Sequence, residues 1–148
     1  MVTSMRPVTS SAPAVAVYAR SPAVRAGLRE LLESAGLEVT GQSGPGAPLP
    51  EADVLVVDAP DGMDGDVASI SAGAEADAIG LVLLIDFLPG DALSPNGEGV
   101  APRGWLRRDA SEAELAAAVL AVGAGLTVID PQLERGLGGE AGRAALTD

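Results

Sequence analysis

The sequence contains no cysteine, no histidine and no lysine, and only Tyr18, Phe87 and Trp105 are aromatic among its 148 residues. Without cysteine and histidine there are no thiolate or imidazole metal ligands and no Ser-His or Cys-His nucleophile pairs. Without lysine there is no Schiff-base nucleophile and no P-loop lysine. Those absences close most enzyme classes, and the chain is expected not to be an enzyme and to need no cofactor. Positive charge is also scarce. Nine basic residues face 21 acidic ones, a formal net charge of −12. Nucleic-acid binding relies on Lys and Arg neutralising phosphates, so this stretch is not expected to bind DNA itself. Prolines 7, 13 and 22 break the N-terminal apolar stretch, and nothing approaches the roughly 18 apolar residues of a membrane span. No membrane association is expected, and a cytoplasmic location is the default reading, with which the missing cysteines are compatible.

What is present is aliphatic. Hydrophobic residues make up 47% of the chain, mostly Ala, Val and Leu, enough for one core. Small aliphatic side chains suit helices packed on a sheet. Along the chain, residues 1–12 carry Ser, Thr and Pro without hydrophobic periodicity and are expected to be a disordered leader. Residues 13–132 form the domain, and 133–148 read as a linker.

Within the domain, Ala14 to Tyr18 has strand character. Ser21-Pro22 then supplies an N-cap followed by proline at the first helical position. Val24, Leu28, Leu31, Leu32 and Ala35 recur at helical spacing until Gly36 stops the helix. Leu37 to Thr40 predicts a second strand. Val54 to Asp58 predicts a third, and its unbroken apolar run suits burial on both faces of a parallel sheet. A short helix is expected over Asp66 to Ala74 and a fourth strand over Gly80 to Ile85. Gly104 to Arg107 predicts a fifth strand, and Ser111 with Glu114 forms a capping box opening a last helix. Leu126 to Pro131 is a brief extended segment. The stretches 41–53 and 88–102 are broken by Gly and Pro where crossover helices would stand. The pattern predicts an α/β, flavodoxin-like, doubly wound sheet of five parallel strands in the order 2-1-3-4-5, with the helices between strands 2 and 3 and between 4 and 5 reduced or lost. In such a sheet, functional residues lie at the carboxyl ends of the strands, which singles out Ala19, Arg20, Asp58, Asp86 and Arg108.

Three segments, Ser21 to Leu28, Ala52 to Asp58 and Gly104 to Ser111, resemble response-regulator receiver domains of the NarL/FixJ (LuxR-type) family, and Val128 to Pro131 is similar to that family's exit from the receiver. The resemblance covers roughly residues 14–133. It implies a two-component signalling module with an acidic metal-binding pair after the first strand, a phosphoacceptor Asp ending the third, a hydroxyl ending the fourth and a Lys ending the fifth. Only the acceptor matches. Asp58 occupies its place as a vestigial phosphoacceptor, whereas Ala19 and Arg20 replace the acidic pair, Ile85 the hydroxyl and Arg108 the lysine. Phosphoryl transfer to a carboxylate needs a divalent ion to neutralise developing charge, and Ala19 with Arg20 provides no carboxylate for one. An atypical, phosphorylation-independent receiver is expected.

Several roles stay open at this level. Arg20 either pairs with Asp58, with Arg108 approaching the same acid, or turns into solvent. Asp86 is an accessory acid of that network or a loop cap, and Phe87 a core or loop anchor. Trp105, where the family has a switch aromatic, is either a switch or a packing or dimer-contact residue. The Gly- and Pro-rich stretches either shape a small-molecule pocket or are plain loops. Asp61, Asp64 and Asp66 lack the glycine and distal Glu of a Ca²⁺ loop, and Gly44-x-Gly46 is misplaced for a dinucleotide fingerprint. The expected function is the regulatory half of a transcription regulator. It would dimerise through the first and last helices, with Arg25, Arg29, Glu112 and Glu114 on the rim, or bind an effector, and DNA contact would come from a helix-turn-helix beyond Asp148. The alternative is a stand-alone protein-interaction module.

Overall fold

In a computed structural model, the described residues are 12–62, 65–87 and 103–133. They form β1 (Val15–Tyr18), α1 (Pro22–Ser34), β2 (Val39–Ser43), β3 (Val54–Asp58), α2 (Gly65–Ala76), β4 (Gly80–Ile85), β5 (Arg103–Arg107), α3 (Glu112–Gly123) and β6 (Val128–Ile129). The sheet is wholly parallel, in the order β2-β1-β3-β4-β5-β6. The expected order of the first five strands is present. The expectation of five strands needs one correction, because Val128 and Ile129 pair with Gly104 and Trp105 to add a sixth. Two residues are too few to show strand alternation in a sequence.

β1, β3 and β4 are buried at every residue, as strands covered on both faces must be. Period-2 alternation sends their side chains into two aliphatic layers. Val15, Val17, Val54, Val56, Val82, Leu84 and Leu106 meet Leu28 and Leu32 of α1 and Leu115, Ala118, Val119 and Val122 of α3. On the opposite face Ala16, Tyr18, Leu55, Val57, Leu81, Leu83, Ile85 and Trp105 meet Val67, Ile70 and Ala74 of α2. Each fully buried Val or Leu is worth about 1.5–3 kcal/mol, so consecutive residues such as Leu83 and Leu84 weld both helical layers to one strand. At the start of β4, a Cβ on Gly80 would stand 2.6 Å from Val122 Cγ1, so α3 lies close enough to require glycine there.

The helix ends follow the local chemistry. The Ser21 hydroxyl accepts the Val24 N–H at 3.3 Å, with Pro22 in the first turn. At the other end of α1, Gly36 takes φ +89°. Its N–H reaches Glu33 O and the Leu37 N–H reaches Leu32 O, both at 3.0 Å, a Schellman closure. That closure drives Leu37 into the core and delays β2 to Val39, two residues later than the apolar pattern predicts. The capping box of α3 is complete: Glu114 N–H to Ser111 Oγ at 3.1 Å and Ser111 N–H to Glu114 Oε1 at 2.8 Å.

Residues 44–53 contain no helix; a turn at Pro45-Gly46 is followed by irregular chain whose Leu49 and Ala52 pack on the α2-side core. That loop stands in for the missing crossover helix. The leader, the stretch 88–102, Asp64 and the linker beyond Leu133 fall outside the described residues. Among the described residues no helix is long and apolar enough to cross a membrane.

Candidate functional site at the carboxyl edge of the sheet

β1, β3, β4, β5 and β6 all end at one edge, where the buried apolar strands give way to charge. Asp58, the last residue of β3, is only 7% exposed. A carboxylate so placed must be paired or hydrogen-bonded to stay charged. Arg108 supplies the partner: its Nε donates to Asp58 Oδ1 at 2.9 Å and a terminal nitrogen donates to Oδ2 at 3.3 Å, a two-pronged grip on both oxygens. The hydrogen bond to Asp58 raises the Arg108 pKa further above its already high ordinary value, against the opposing effect of burial. Asp86, half exposed, stands 3.9 Å from the same guanidinium. It joins the network at its outer side.

Arg20 does not join it. Its guanidinium reaches Asp66 Oδ2, in the first turn of α2, at 2.9 Å and Asp61 Oδ2, in the segment leading into α2, at 3.7 Å. Of the two readings left open for Arg20, pairing with Asp58 or a turn into solvent, the structure shows neither: Arg20 pairs with Asp61 and Asp66, while Asp58 is held by Arg108. Arg25, read from the sequence as a rim charge, turns inward over Gly44 and donates to the carbonyl of Ala19. Arg29 pairs within α1 with Glu33 at 3.1 Å, and Glu114 is spent on the capping box.

The position after β1 does not fit a divalent metal. Ala19 has no ligating side chain and its carbonyl is taken by Arg25, while Arg20 is itself a cation. Asp61 and Asp66 both face Arg20. Among the described residues no group of three or more acidic side chains is arranged to hold a metal ion. Ile85, at the end of β4, is fully buried in the α2-side core, and Trp105 lies in the same layer with Leu133. Phe87, expected as a core or loop anchor, is 82% exposed.

No protein-family model and no curated protein matches the chain. Solved structures do. The response regulator ChrA of a heme-sensing two-component system is 28% identical, with a TM-score of 0.62, over 84% of this chain and 63% of ChrA. The chain thus spans less than two thirds of ChrA. The chain has the receiver fold of the NarL/LuxR-type response regulators. The same fold recurs in the receiver domain of NarL from Mycobacterium tuberculosis, 24% identical with a TM-score of 0.60 over 76% of this chain and 97% of that one. It recurs again in the isolated receiver domain of RcsB from Salmonella enterica serovar Typhimurium, 19% identical with a TM-score of 0.62 over 84% and 98%.

On this receiver, the residue that sequence reasoning missed is Asp130. It is only 4% exposed. Its Oδ2 accepts from Arg107 Nε at 3.2 Å and its Oδ1 from the Gln132 N–H at 2.8 Å. Burial works to raise the Asp130 pKa, but the Gln132 N–H and the Arg107 guanidinium outweigh it and hold the carboxyl below its ordinary value. The available signal was an acid directly before Pro131, which reads equally well as a plain helix cap.

Proposed function

We propose that this receiver is a phosphorylation-independent regulatory module of a transcription regulator, controlled by dimerisation or by a small-molecule effector. The observation that carries the reading is the grip of Arg108 on both oxygens of Asp58. An Asp that accepts a phosphoryl group does so as a nucleophile beside a divalent cation that neutralises the developing charge, and an oxygen held by a guanidinium is a poorer nucleophile. Here both oxygens receive hydrogen bonds from a permanent cation, and the residues after β1 offer no metal ligand. Ile85, turned into the core, has no group to hold a phosphoryl oxygen. A regulatory role is that of the response regulators sharing the fold, whereas the loss of phosphate control is specific to this chain's residues.

Two features support a route for control without phosphate. A shallow cavity of about 560 Å³ beside Asp58 is lined by Val24, Leu28, Ile85, Asp86 and Arg108, and joins an apolar wall to the charged pair. The outer surface of α1 carries a second shallow depression around Val24, Leu28 and Leu31, which supports a dimer contact at the first helix. DNA contact falls to a separate helix-turn-helix domain, because the net charge of this chain opposes phosphate binding.

The test is incubation with a small phosphodonor and Mg²⁺ followed by intact mass measurement. The expected result is an unmodified chain. Stoichiometric phosphorylation of Asp58 would overturn the proposal.

A further inference from the structure

Arg107 and Arg108 are consecutive and grip acids on opposite sides of β5. Arg108 reaches back across β4 to Asp58 of β3. Arg107 reaches forward to Asp130, just beyond β6, and also touches Asp109 at 3.3 Å. The turn carrying both arginines is closed by the Ala110 N–H on the Arg107 carbonyl at 3.0 Å. The two guanidinium stems therefore share one short, hydrogen-bonded piece of backbone. Neither acid moves freely, since both are nearly buried.

The segment held by Arg107 is slight. β6 has only two paired residues, Val128 and Ile129, both half-buried. After them the Asp130 N–H donates to the Trp105 carbonyl at 2.8 Å, and the Leu133 N–H to the Asp130 carbonyl at 3.0 Å. Leu133 and Ile129 pack into the layer that holds Trp105, the sole tryptophan of the chain. A two-residue strand has little ladder of its own, so the Asp130 contacts and the Leu133 side chain carry much of its attachment.

We propose that Val128–Leu133 is a latched strap, held on β5 by the Arg107–Asp130 ion pair, and that the Arg108–Asp58 grip on the adjoining residue governs how firmly the latch closes. With Asp58 gripped, the turn is fixed from the β3 side and Arg107 is presented to Asp130. When Arg108 lets go of Asp58, the turn is free to shift and the latch weakens. Coupling of this kind is reciprocal: release of the strap also loosens the grip on Asp58. The inference stands apart from the question of phosphorylation, because its readout is exchange at the strap rather than mass at Asp58.

Native-state hydrogen exchange and Trp105 fluorescence on the full chain test it, with Asp130→Asn and Arg108→Gln. In Asp130→Asn, exchange at the backbone amides of the substituted residue and of Leu133 should rise by about tenfold or more, the loss expected from a charge-assisted hydrogen bond, and by clearly more than at the β3 amides, which report only global opening. Trp105 emission should move to the red as Ile129 and Leu133 lift away. In Arg108→Gln the Asp130 and Leu133 amides should accelerate to a smaller extent. Unchanged strap exchange in Asp130→Asn would refute the latch, and unchanged strap exchange in Arg108→Gln would refute its control by the acid site. An equal rise in the strap and in β3 would also count against the proposal, since it reports global opening. Should Asp130→Asn fail to fold, Arg107→Lys, which keeps the charge and loses the Nε donor, gives the same readout.

Discussion

Arg20 and Arg108 stand at the same sheet edge on either side of β3, one after β1 and one after β5, and each is paired with acids, yet the pairs differ in kind. Arg20 and its partners Asp61 and Asp66 all have side chains about half exposed or more. Arg108 meets an acid that is 7% exposed, through two hydrogen bonds. In the first cluster, water and salt can replace either partner, and such pairs are worth about 0–1 kcal/mol. In the second, removing the arginine strands a carboxylate that the fold keeps from water. The burial of the acid, more than the distance between the charges, decides which pair the structure depends on.

Substitutions should separate the two halves. Arg108→Ala should destabilise the domain by about 2–3 kcal/mol in chemical denaturation, because Asp58 is left buried without its cation. A loss as small as that of an exposed pair would erase the distinction. The double variant Asp58→Asn/Arg108→Gln should cost less than Arg108→Ala alone, about 1 kcal/mol, since no uncompensated charge remains. An additive result would show that the two residues act independently.

Acid probes the neighbouring buried pair. The folded Asp130 carboxyl lies below its ordinary value, so it binds a proton less readily folded than unfolded. Its contribution is fully present above the unfolded value of about 3.9 and is lost as pH falls from there through the lower folded value. Comparing the denaturation of the parent and Asp130→Asn between neutral pH and about pH 3 should show the gap closing in acid. A gap constant with pH would place the effect elsewhere. The smallest effect belongs to Arg20→Ala, within about 0.5 kcal/mol, and it should vanish in about 1 M salt, where screening acts over roughly 3 Å.

Much of this edge is legible from residue types. Strands β3 and β4 are uninterrupted apolar runs that can only be buried on both faces; β3 ends in Asp58 and β4 is followed by Asp86, at the point where a parallel sheet presents its functional residues. Arg108 follows β5 in the same way, so its proximity to Asp58 follows from strand order. Arg20 was ambiguous because an arginine reaches several acids from one Cα, and the sequence does not rank Asp58 against Asp61 and Asp66. Arg25 looked like a surface charge because it lies off the α1 apolar stripe; only the fold brings Gly44 and the Ala19 carbonyl beneath it. Asp130 precedes Pro131 as a plain helix cap would, and its pairing is not legible because Arg107 lies 23 residues earlier in the chain.

Local chemistry in the sequence by itself determined the caps of α1 and α3 and the burial of the central strands. Each of these is set by residue type, by period or by neighbours a few positions away. Tertiary structure alone decided which arginine holds which acid, and that β6 closes the sheet beneath a buried Asp130. Those contacts join residues 23 to 50 positions apart, and whether an ion pair matters depends on how much water the fold leaves around it.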